Sequence, residues 1–451
     1  MGVLAVYGVQ GASTLLYYGL HNLQHRGQEG GGIATFDENG VSHRYRGLGL
    51  LNEIFNNGQV GKLTGSLGIG CVKYANASRA GLDNVGPFFF RHFSGDFAVA
   101  SDGNLVNSKQ IAAYLEKHGT IFQTETDAEL LAHLVKKSAN EDRIVNIVKA
   151  LNMMEGGFTF LIMTKNRIYA ARDKYGIKPL CIGRIGDGYV VASESCAFGI
   201  MGAEFVRDVR PGEIVSLDRH GIRSTLFSKY CRHRMCGMEY IYFARPDSDI
   251  DGCNVHAYRK EAGRRLCREN PVEADIVVGV PESSLSAAMG YAEESGLPYE
   301  MGLIKHKYVG RTFIEPVQSV RELGVKMKLS PVYSIVKGKR IVLVDDSIVR
   351  GTTCLKIVRL LREAGAKEVH VRIASPMMKY TCHYGVDTST PEELLCSHRT
   401  LEEACRAIGA DSLGYLSPES TRASAFGCAD PCQACFTGEY PTLLYDEDVN
   451  D

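Results

Sequence analysis

Residues Arg340 to Thr353 read R-I-V-L-V-D-D-S-I-V-R-G-T-T, and they restrict the possible folds more than any other part of the chain. A short apolar run that ends in two acids and passes into a Gly/Thr loop is typical of a buried strand in a parallel sheet, followed by the start of a helix. Ligands of such sheets bind beyond the carboxyl ends of the strands. We therefore expect a ligand site at Asp345 and Asp346.

The residue types at this strand end suit a sugar phosphate. Adjacent carboxylates can accept hydrogen bonds from the hydroxyls of a ribose, and the backbone amides of the loop and of the helix N-terminus favour a phosphate dianion. A bare Asp-Asp pair can equally be an acidic strand end before an N-capping Thr. The chain has no G-x-x-x-x-G-K-[ST] string, which excludes a P-loop. The candidate binding residues are Asp345, Asp346, Ser347, Arg350, Gly351, Thr352 and Thr353.

The pattern of the chain changes near residue 228. After it, apolar strand-like runs such as Ala274 to Val280 alternate with helical ones such as Thr353 to Ala364, which predicts a parallel α/β sheet. Before it, short strands such as Tyr189 to Ala192, which follows a Gly-Asp-Gly turn, are interrupted by helical stretches such as Asp127 to Lys137. This first half is therefore predicted to be α+β, with antiparallel pairing.

Length agrees with a division at this point. A chain of 451 residues is long enough for two or three domains, each with its own core. We place two domains at residues 1–228 and 229–451, with the polar, basic segment Phe227 to Cys236 as the linker.

The charge balance argues for small-molecule chemistry. The chain has 51 Lys and Arg against 52 Asp and Glu and no long basic run, so it lacks the electrostatic footprint of a protein that binds nucleic acid or an anionic membrane. The first 20 residues are uncharged, but they lack a basic segment and are interrupted by glycines, unlike a signal peptide or a membrane anchor. We expect a cytoplasmic protein whose N-terminus forms a buried strand and helix.

Most of the fourteen cysteines are expected to be small core residues, as is usual in a reducing compartment. The exception is a C-x-x-C string at Cys432 and Cys435, with Cys428 four residues upstream. Two thiolates at this spacing can hold one metal ion or one edge of a cluster. Zinc, a redox pair and chance remain alternatives for this string by itself.

Three further strings carry a family resemblance. They are H-R-G-Q-E at His25 to Glu29, M-E-Y-I-Y-F-A-R-P-D-S at Met238 to Ser248, and K-H-K-Y-V-G-R-T-F-I at Lys305 to Ile314. Together with the Asp-Asp segment, they make the chain resemble the glutamine phosphoribosylpyrophosphate amidotransferases of purine synthesis over essentially its full length. The resemblance implies an α+β N-terminal-nucleophile-hydrolase-like glutaminase domain, a four-layer sandwich, followed by an α/β type I phosphoribosyltransferase domain, with ammonia passed between them.

The resemblance also implies phosphoribosyl pyrophosphate as the substrate and Mg2+ as a cofactor. By matching motif, Ser283, Asp345 and Asp346 would serve the magnesium-pyrophosphate site. The segment Lys305 to Ile314 would be a mobile loop that closes over the substrate, with Lys305, Tyr308 and Arg311 as its catalytic residues.

The loop also makes physical sense by itself. Lys305, Lys307 and Arg311 bring three cations, enough to cover a pyrophosphate and exclude water while the anomeric carbon is attacked. Lys307 stands where many relatives have Arg, so a bidentate contact is weakened there.

For the cysteines, the resemblance implies a 4Fe-4S cluster. Its four ligand positions are occupied here by Cys236, Cys382, Cys432 and Cys435, while Cys428 and Cys231 would be neighbours that do not bind iron. The cluster would tie the C-terminal tail, expected to be irregular from Leu416 onward, to the domain, and stability would then depend on the metal. Zinc is the alternative occupant.

The glutaminase motifs depart from the family at three positions. Met1 stands where the family has its nucleophilic Cys, and a thioether has no proton to lose and cannot form a thioester. Lys73 replaces an Arg that holds the glutamine carboxylate, and Asp102 replaces the Asn of the oxyanion segment. The Gly103 amide and Asp127, the match for the residue that holds the substrate amine, remain. We expect a retained but inactive glutaminase domain.

These observations predict an enzyme that makes 5-phosphoribosylamine and pyrophosphate, with ammonia arriving free or from a partner glutaminase. One alternative is a non-catalytic regulatory protein that binds phosphoribosyl pyrophosphate or purine nucleotides. The other is full glutamine-dependent activity, which requires a native chain that begins with Cys in place of Met1. The resemblance further suggests a homo-oligomer with purine nucleotides as inhibitors.

Overall fold

The computed structural model describes residues 1–74, 81–93, 95–138, 140, 142–306, 329–386, 388, 390–427 and 430–445. The first half is built on thirteen strands in this part of the chain. In chain order they are β1 Gly2–Tyr7, β2 Gly30–Phe36, β3 Ser42–Leu48, β4 Leu67–Lys73, β5 Phe88–Phe90, β6 Phe97–Leu105, β7 Gly156–Thr164, β8 Arg167–Arg172, β9 Cys181–Ile185, β10 Gly188–Ala192, β11 Glu204–Asp208, β12 Glu213–Asp218 and β13 Gly221–Leu226.

These strands form two antiparallel sheets, a seven-stranded one in the order β11-β9-β10-β1-β4-β2-β3 and a six-stranded one in the order β13-β12-β8-β7-β6-β5. Alternation along β6 shows how they stack, since Ala98 and Ala100 lie between the sheets whereas Phe97 and Val99 face helices. Helices cover both outer faces, which confirms the predicted four-layer sandwich. The α-helices of this half are Ala12–Asn22, Leu51–Ile54, Ser108–Glu116, Asp127–Lys137, Arg143–Met153 and Cys196–Met201.

The second half contains a parallel sheet and several short additions. Its strands are β14 Asp249–Ile250, β15 Cys253–Asn254, β16 Ile276–Gly279, β17 Leu303–Lys305, β18 Leu329–Pro331, β19 Arg340–Asp345, β20 Glu368–Ile373 and β21 Ser412–Tyr415. Its helices are the π-helix Glu239–Phe243 and the α-helices Val255–Glu269, Leu285–Ser295, Tyr333–Val336, Thr352–Glu363, Leu401–Ile408, Pro418–Ala423 and Ala434–Thr437. Single turns of 3-10 helix lie at Gln24–Arg26, Val60–Lys62, Leu82–Asn84 and Pro391–Glu393.

The central sheet of this half has the order β16-β19-β20-β21, with all pairs parallel. Along β19, Ile341 and Leu343 pack against the helices on one face, and Val342 and Val344 pack against those on the other. Burial on both faces explains the uninterrupted apolar run in the sequence. The prediction of a parallel α/β domain is confirmed.

The two halves are joined by a segment without regular structure and by side-chain contacts. The last strand of the sandwich ends at Leu226, and the next helix begins at Glu239. Within the segment between them, the backbone N–H of Cys236 donates to the carbonyl of Ile177 at 3.1 Å. The Arg172 guanidinium, buried in the first half, also forms two 2.8 Å hydrogen bonds with the Asp251 carboxylate of the second.

The C-terminal segment is less irregular than expected, because two short helices lie in it, Pro418–Ala423 and Ala434–Thr437. Among the residues that the structure describes, no helix has both the length and the apolar character needed to span a bilayer.

Candidate active site

The end of β19 carries two carboxylates that are held by hydroxyl groups. Ser284 Oγ donates to Asp345 Oδ1 at 2.9 Å, and Ser347 Oγ donates to Asp346 Oδ1 at 2.7 Å. Ser283 Oγ donates to Asp346 Oδ2. Ser283 and Ser284 lie in the turn between β16 and the helix Leu285–Ser295, and from there they orient the acid pair at the end of the adjacent strand β19.

This acid pair lies in a poorly hydrated place. Burial raises the pKa of both carboxyls, and the neighbouring carboxylate raises that of Asp345 further. A buried cation, Arg259, lies near Asp346 and donates to the carbonyls of Tyr240 and Ala244 at 2.7 and 2.8 Å. A ligand that brings positive charge or hydroxyl donors to this strand end would stabilise the ionised pair.

The loop after the acids leads into the start of a helix. Gly351 has a φ of +79° and directly precedes Thr352–Glu363, so a residue with a side chain would be strained there. Thr352 and Thr353 are exposed in the first turn, where backbone N–H groups have no partner within the helix. Arg350, another expected binding residue, forms an exposed ion pair with Glu393 at 2.7 Å.

Lys305 lies at the base of the expected mobile loop. It ends β17, which pairs with β18 so that Lys305 stands opposite Leu329. Its Nζ lies 3.6 Å from Glu282 Oε2, next to Ser283 of the acid site. The other loop residues with an expected role, Lys307, Tyr308 and Arg311, lie outside the described residues.

At the expected glutaminase site, Met1 and Asp102 lie side by side. The α-amino nitrogen of Met1 is 3.4 Å from Asp102 Oδ1, and the Arg26 guanidinium lies 3.3 Å from Asp102 Oδ2 and 2.9 Å from the Met1 carbonyl. Burial alone would raise the pKa of Asp102, but the α-amino group, Lys178 and Arg26 lower it to about 2. Asp102 is therefore a buried anion.

Arg26 is the centre of a larger buried ion cluster that spans both halves. Its guanidinium donates to Glu194 Oε1 at 2.6 Å and to the two carboxylate oxygens of Glu239 at 2.6 and 2.8 Å. Lys178 is buried near Asp102 and Glu239, whose charges raise its pKa against the effect of burial. The sequence patterns predicted no role for Arg26, Lys178, Glu194 or Glu239, although Arg26 and Glu239 stand in two of the family-specific strings.

The remaining expected glutaminase residues lie on three elements, with Lys73 at the end of β4, Gly103 in β6 and Asp127 at the start of the helix Asp127–Lys137. Lys73 Nζ donates to the carbonyl of Asn84 at 2.6 Å, and the Asp127 carboxylate accepts from the backbone N–H of Leu105 at 2.9 Å. Gly103 has a φ of +113°, and a Cβ there would stand 2.0 Å from the carbonyl oxygen of Gly157, so only glycine fits.

Four cysteines from three parts of the chain line one small cavity. They are Cys236, Cys382, Cys432 and Cys435. Backbone bonds hold the segments together, since the Cys432 N–H donates to the Met235 carbonyl at 2.7 Å and the Gly237 N–H to the Cys432 carbonyl at 3.0 Å. Burial raises the pKa of the Cys432 thiol to about 12 and raises that of Cys236.

Two other observations bear on this cavity. Over the described ranges, no three His, Cys, Asp or Glu side chains come together in a way that could hold a single metal ion. Cys231 is exposed and its thiol donates to the Ser228 carbonyl at 3.4 Å, away from the cavity, while Cys428 lies outside the described residues.

Both halves match known families. Residues 84–199 match the model of a glutamine amidotransferase domain, and residues 264–385 match that of a phosphoribosyl transferase domain. The chain is 51% identical over 455 residues to an amidophosphoribosyltransferase of Bacillus subtilis (strain 168), covering 99% of this chain and 95% of the relative. It is 47% identical over 456 residues to one of Staphylococcus aureus (strain Mu50), covering 100% of this chain and 92% of the relative.

Two solved structures show the same similarity over the full length of the chain. The glutamine phosphoribosylpyrophosphate amidotransferase from B. subtilis complexed with ADP and GMP has a TM-score of 0.94 at 50% identity, covering 99% of this chain and 98% of that chain. A structure described as the allosteric regulatory enzyme of purine biosynthesis has a TM-score of 0.95 at 50% identity, covering 100% and 98%. The predicted order of a glutaminase fold followed by a phosphoribosyltransferase fold is confirmed.

Proposed function

The chain belongs to the amidophosphoribosyltransferase family, whose members are glycosyltransferases of purine biosynthesis, and we propose that it forms 5-phosphoribosylamine and pyrophosphate from phosphoribosyl pyrophosphate with ammonia as the nitrogen donor. The observation that carries the proposal is the acid pair Asp345 and Asp346, held by three serine hydroxyls beside the exposed start of the helix Thr352–Glu363. The proposed catalytic unit spans residues 229–451, and the proposed glutaminase remnant spans residues 1–228.

In this proposal the acid pair accepts hydrogen bonds from the ribose hydroxyls, and the first turn of the helix receives the 5-phosphate. Ammonia attacks the anomeric carbon, a C–N bond forms as the bond to the pyrophosphate oxygen breaks, and the nitrogen loses a proton. Lys305 stands beside the acid site, where its charge balances that of the departing pyrophosphate.

The donor set of the acid site fits Mg2+. Two carboxylates and the hydroxyl of Ser283 are hard oxygen ligands, and Mg2+ usually binds one or two carboxylates together with substrate phosphates. Bound there by Ser283, Asp345 and Asp346, the ion would neutralise pyrophosphate charge.

The glutamine half of the family reaction is proposed to be absent. Met1 offers no thiol, and the anionic Asp102 repels an oxyanion in the place where a hydrogen-bond donor is needed. Lys73 is turned to the Asn84 carbonyl and has no guanidinium fork for a carboxylate. Ammonia would therefore arrive free or from a partner glutaminase.

The four-cysteine cavity is the proposed site of a 4Fe-4S cluster, with zinc as the alternative occupant. Such a cluster is held by four Cys thiolates. Cys236, Cys382, Cys432 and Cys435 come from three parts of the chain and line one cavity, and they are the positions that the family resemblance implies as the cluster ligands. The cluster would act as a structural cross-link.

The proposal also includes effectors and an assembly. Purine nucleotides are the proposed effectors, as suggested by the ADP and GMP in the B. subtilis structure, and the proposed assembly is a homo-oligomer.

The experiment is pyrophosphate release from phosphoribosyl pyrophosphate with ammonium and Mg2+. The unmodified protein should turn over, and the double variant Asp345→Asn, Asp346→Asn should bind phosphoribosyl pyrophosphate at least about 100-fold more weakly, because two charge-assisted hydrogen bonds are lost. Glu273→Gln, an exposed carboxylate of the same half, is the matched control. Tight binding without turnover would instead indicate a regulatory protein, and unchanged binding by the double variant would refute the site.

A further inference from the structure

A cleft of about 520 Å³ opens at the end of the sandwich that lies away from Met1. It is bounded by the two-residue turn Lys165 and Asn166 between β7 and β8, by the β2–β3 turn at Gly40, and by Asp96 just before β6. At about 3.3 Å per residue along β6, Asp96 is roughly 20 Å from Asp102. A ligand in this cleft would therefore not reach Asp102, and the lining residues all belong to the first half of the chain, whereas the acid pair belongs to the second.

Positive charge dominates the lining of the cleft. Arg143, Lys165 and Arg167 are lining cations, against Asp96 as the lining carboxylate. Arg167 is paired with Asp218 at 2.8 Å, but over the described ranges neither Arg143 nor Lys165 has an ion-pair partner.

The surroundings add to this charge. Burial and the charge of Arg143 lower the pKa of Lys136, and burial, Lys136 and Arg143 together lower the pKa of His92. The carboxylate of Asp96 opposes this effect at Lys136 by raising its pKa. Arg143 therefore adds to the positive potential at Lys136 and His92, and an anion bound at Arg143 would offset part of it.

The other lining groups indicate the chemical character of the rest of the ligand. Asp96 and Asn166 offer a carboxylate and an amide, which suit sugar hydroxyls, and the rings of Phe36 and Tyr169 give an apolar floor. The Cδ of Lys165 lies 3.7 Å from where a Cβ of Gly40 would stand, so the Lys165 side chain passes beside the β2–β3 turn. We propose that this cleft binds a sugar phosphate, with the phosphate between Arg143 and Lys165 and the hydroxyls toward Asp96 and Asn166.

Site-resolved acylation of lysines tests the proposal without relying on catalysis. Ribose 5-phosphate should slow acylation of Lys165 by the factor 1 + [L]/Kd, roughly tenfold at a concentration ten times Kd. The exposed Lys149, on the helix that begins with Arg143, should keep its rate. Ribose, which lacks the phosphate, should not protect, and inorganic phosphate should protect more weakly than ribose 5-phosphate.

Arg143→Gln should abolish most of the protection of Lys165, while the matched variant Lys149→Gln should keep it. Equal protection by sodium sulfate at the same ionic strength would show an adventitious ion only and overturn the proposal. Slow acylation of Lys165 without any ligand would also overturn it, because the cleft would then be covered by another part of the assembly. Loss of ammonium-dependent activity would leave this readout unchanged, so the two proposals fail separately.

Discussion

In the first half of the molecule, neighbouring buried charges determine the ionisation state of individual residues and therefore the chemistry that they can support. Asp102 is ionised because the α-amino group, Lys178 and Arg26 surround it, and its neighbour Met1 carries no ionisable side chain. The sequence alone indicated that Asp102 is unfavourable for an oxyanion. It did not indicate that Arg26 is shared with Glu239, because the two residues are 213 positions apart.

Restoration of the glutaminase should be strongly cooperative. A protein with Cys as its N-terminal residue in place of Met1 should hydrolyse glutamine barely above background, because Asp102 still opposes the oxyanion. Adding Lys73→Arg and Asp102→Asn should raise glutamate formation by about 100-fold or more over the single variant. The pair Lys73→Arg, Asp102→Asn without the Cys is the control and should stay inactive. High activity of the Cys variant alone would show that Asp102 is harmless.

Asp208 should make stability depend on pH. Burial and Asp251 raise the pKa of Asp208 to about 7 although Arg172 lowers it, whereas its ordinary value is 3.8. Because the folded state favours the protonated form, ionisation destabilises the fold progressively as the pH rises from about 4 to about 7. Asp208→Asn should therefore raise the free energy of unfolding at pH 8 by up to about 2 kcal/mol and change it little at pH 4. Urea unfolding at both pH values measures this, and a gain of equal size at both would contradict it.

At the scale of elements, the spacing of apolar residues predicted strands and longer helices correctly. Contacts between segments that are distant in the chain could not be predicted in this way. The strand Arg340–Asp345 was predicted because it is apolar on both faces, and Asp127–Lys137 because its apolar residues recur with helical spacing. The tail helices Pro418–Ala423 and Ala434–Thr437 were missed because six and four residues carry too little periodic signal. Contacts such as that between the Cys432 N–H and the Met235 carbonyl hold this region in place.

The stability of the C-terminal segment should depend on the proposed iron-sulfur cluster. Anaerobically prepared protein should be brown and contain iron and acid-labile sulfide, and Cys432→Ser should remove both. Cys432→Ser should also lower the free energy of unfolding by about 3 kcal/mol, a loss typical of a removed cross-link. The melting temperature should then fall by roughly 6–12 °C. Cys231→Ser, at the exposed cysteine outside the cavity, should change neither colour nor melting. Stoichiometric zinc without iron would refute the cluster.

At the scale of the whole molecule, the two halves are held together by contacts that no local pattern reveals. Arg26 pairs with Glu239, Arg172 pairs with Asp251, and the amide of Asn104 donates to the His383 carbonyl across 279 positions. In this way the ion cluster at Met1 is fixed to the half that carries the acid pair. Such a cluster gives a structural reason to retain the first half even where glutamine is not hydrolysed.

Pyrophosphate release from phosphoribosyl pyrophosphate, measured side by side with ammonium and with glutamine, decides whether the two halves work as proposed. With ammonium the rate should be substantial, and it should climb with pH above neutrality, because NH3 is the nucleophile. With glutamine it should not exceed the rate without any nitrogen donor. Glutamine-driven release that survives removal of contaminating glutaminase, with Met1 or Gly2 shown by mass spectrometry to be the N-terminal residue, would contradict the proposal.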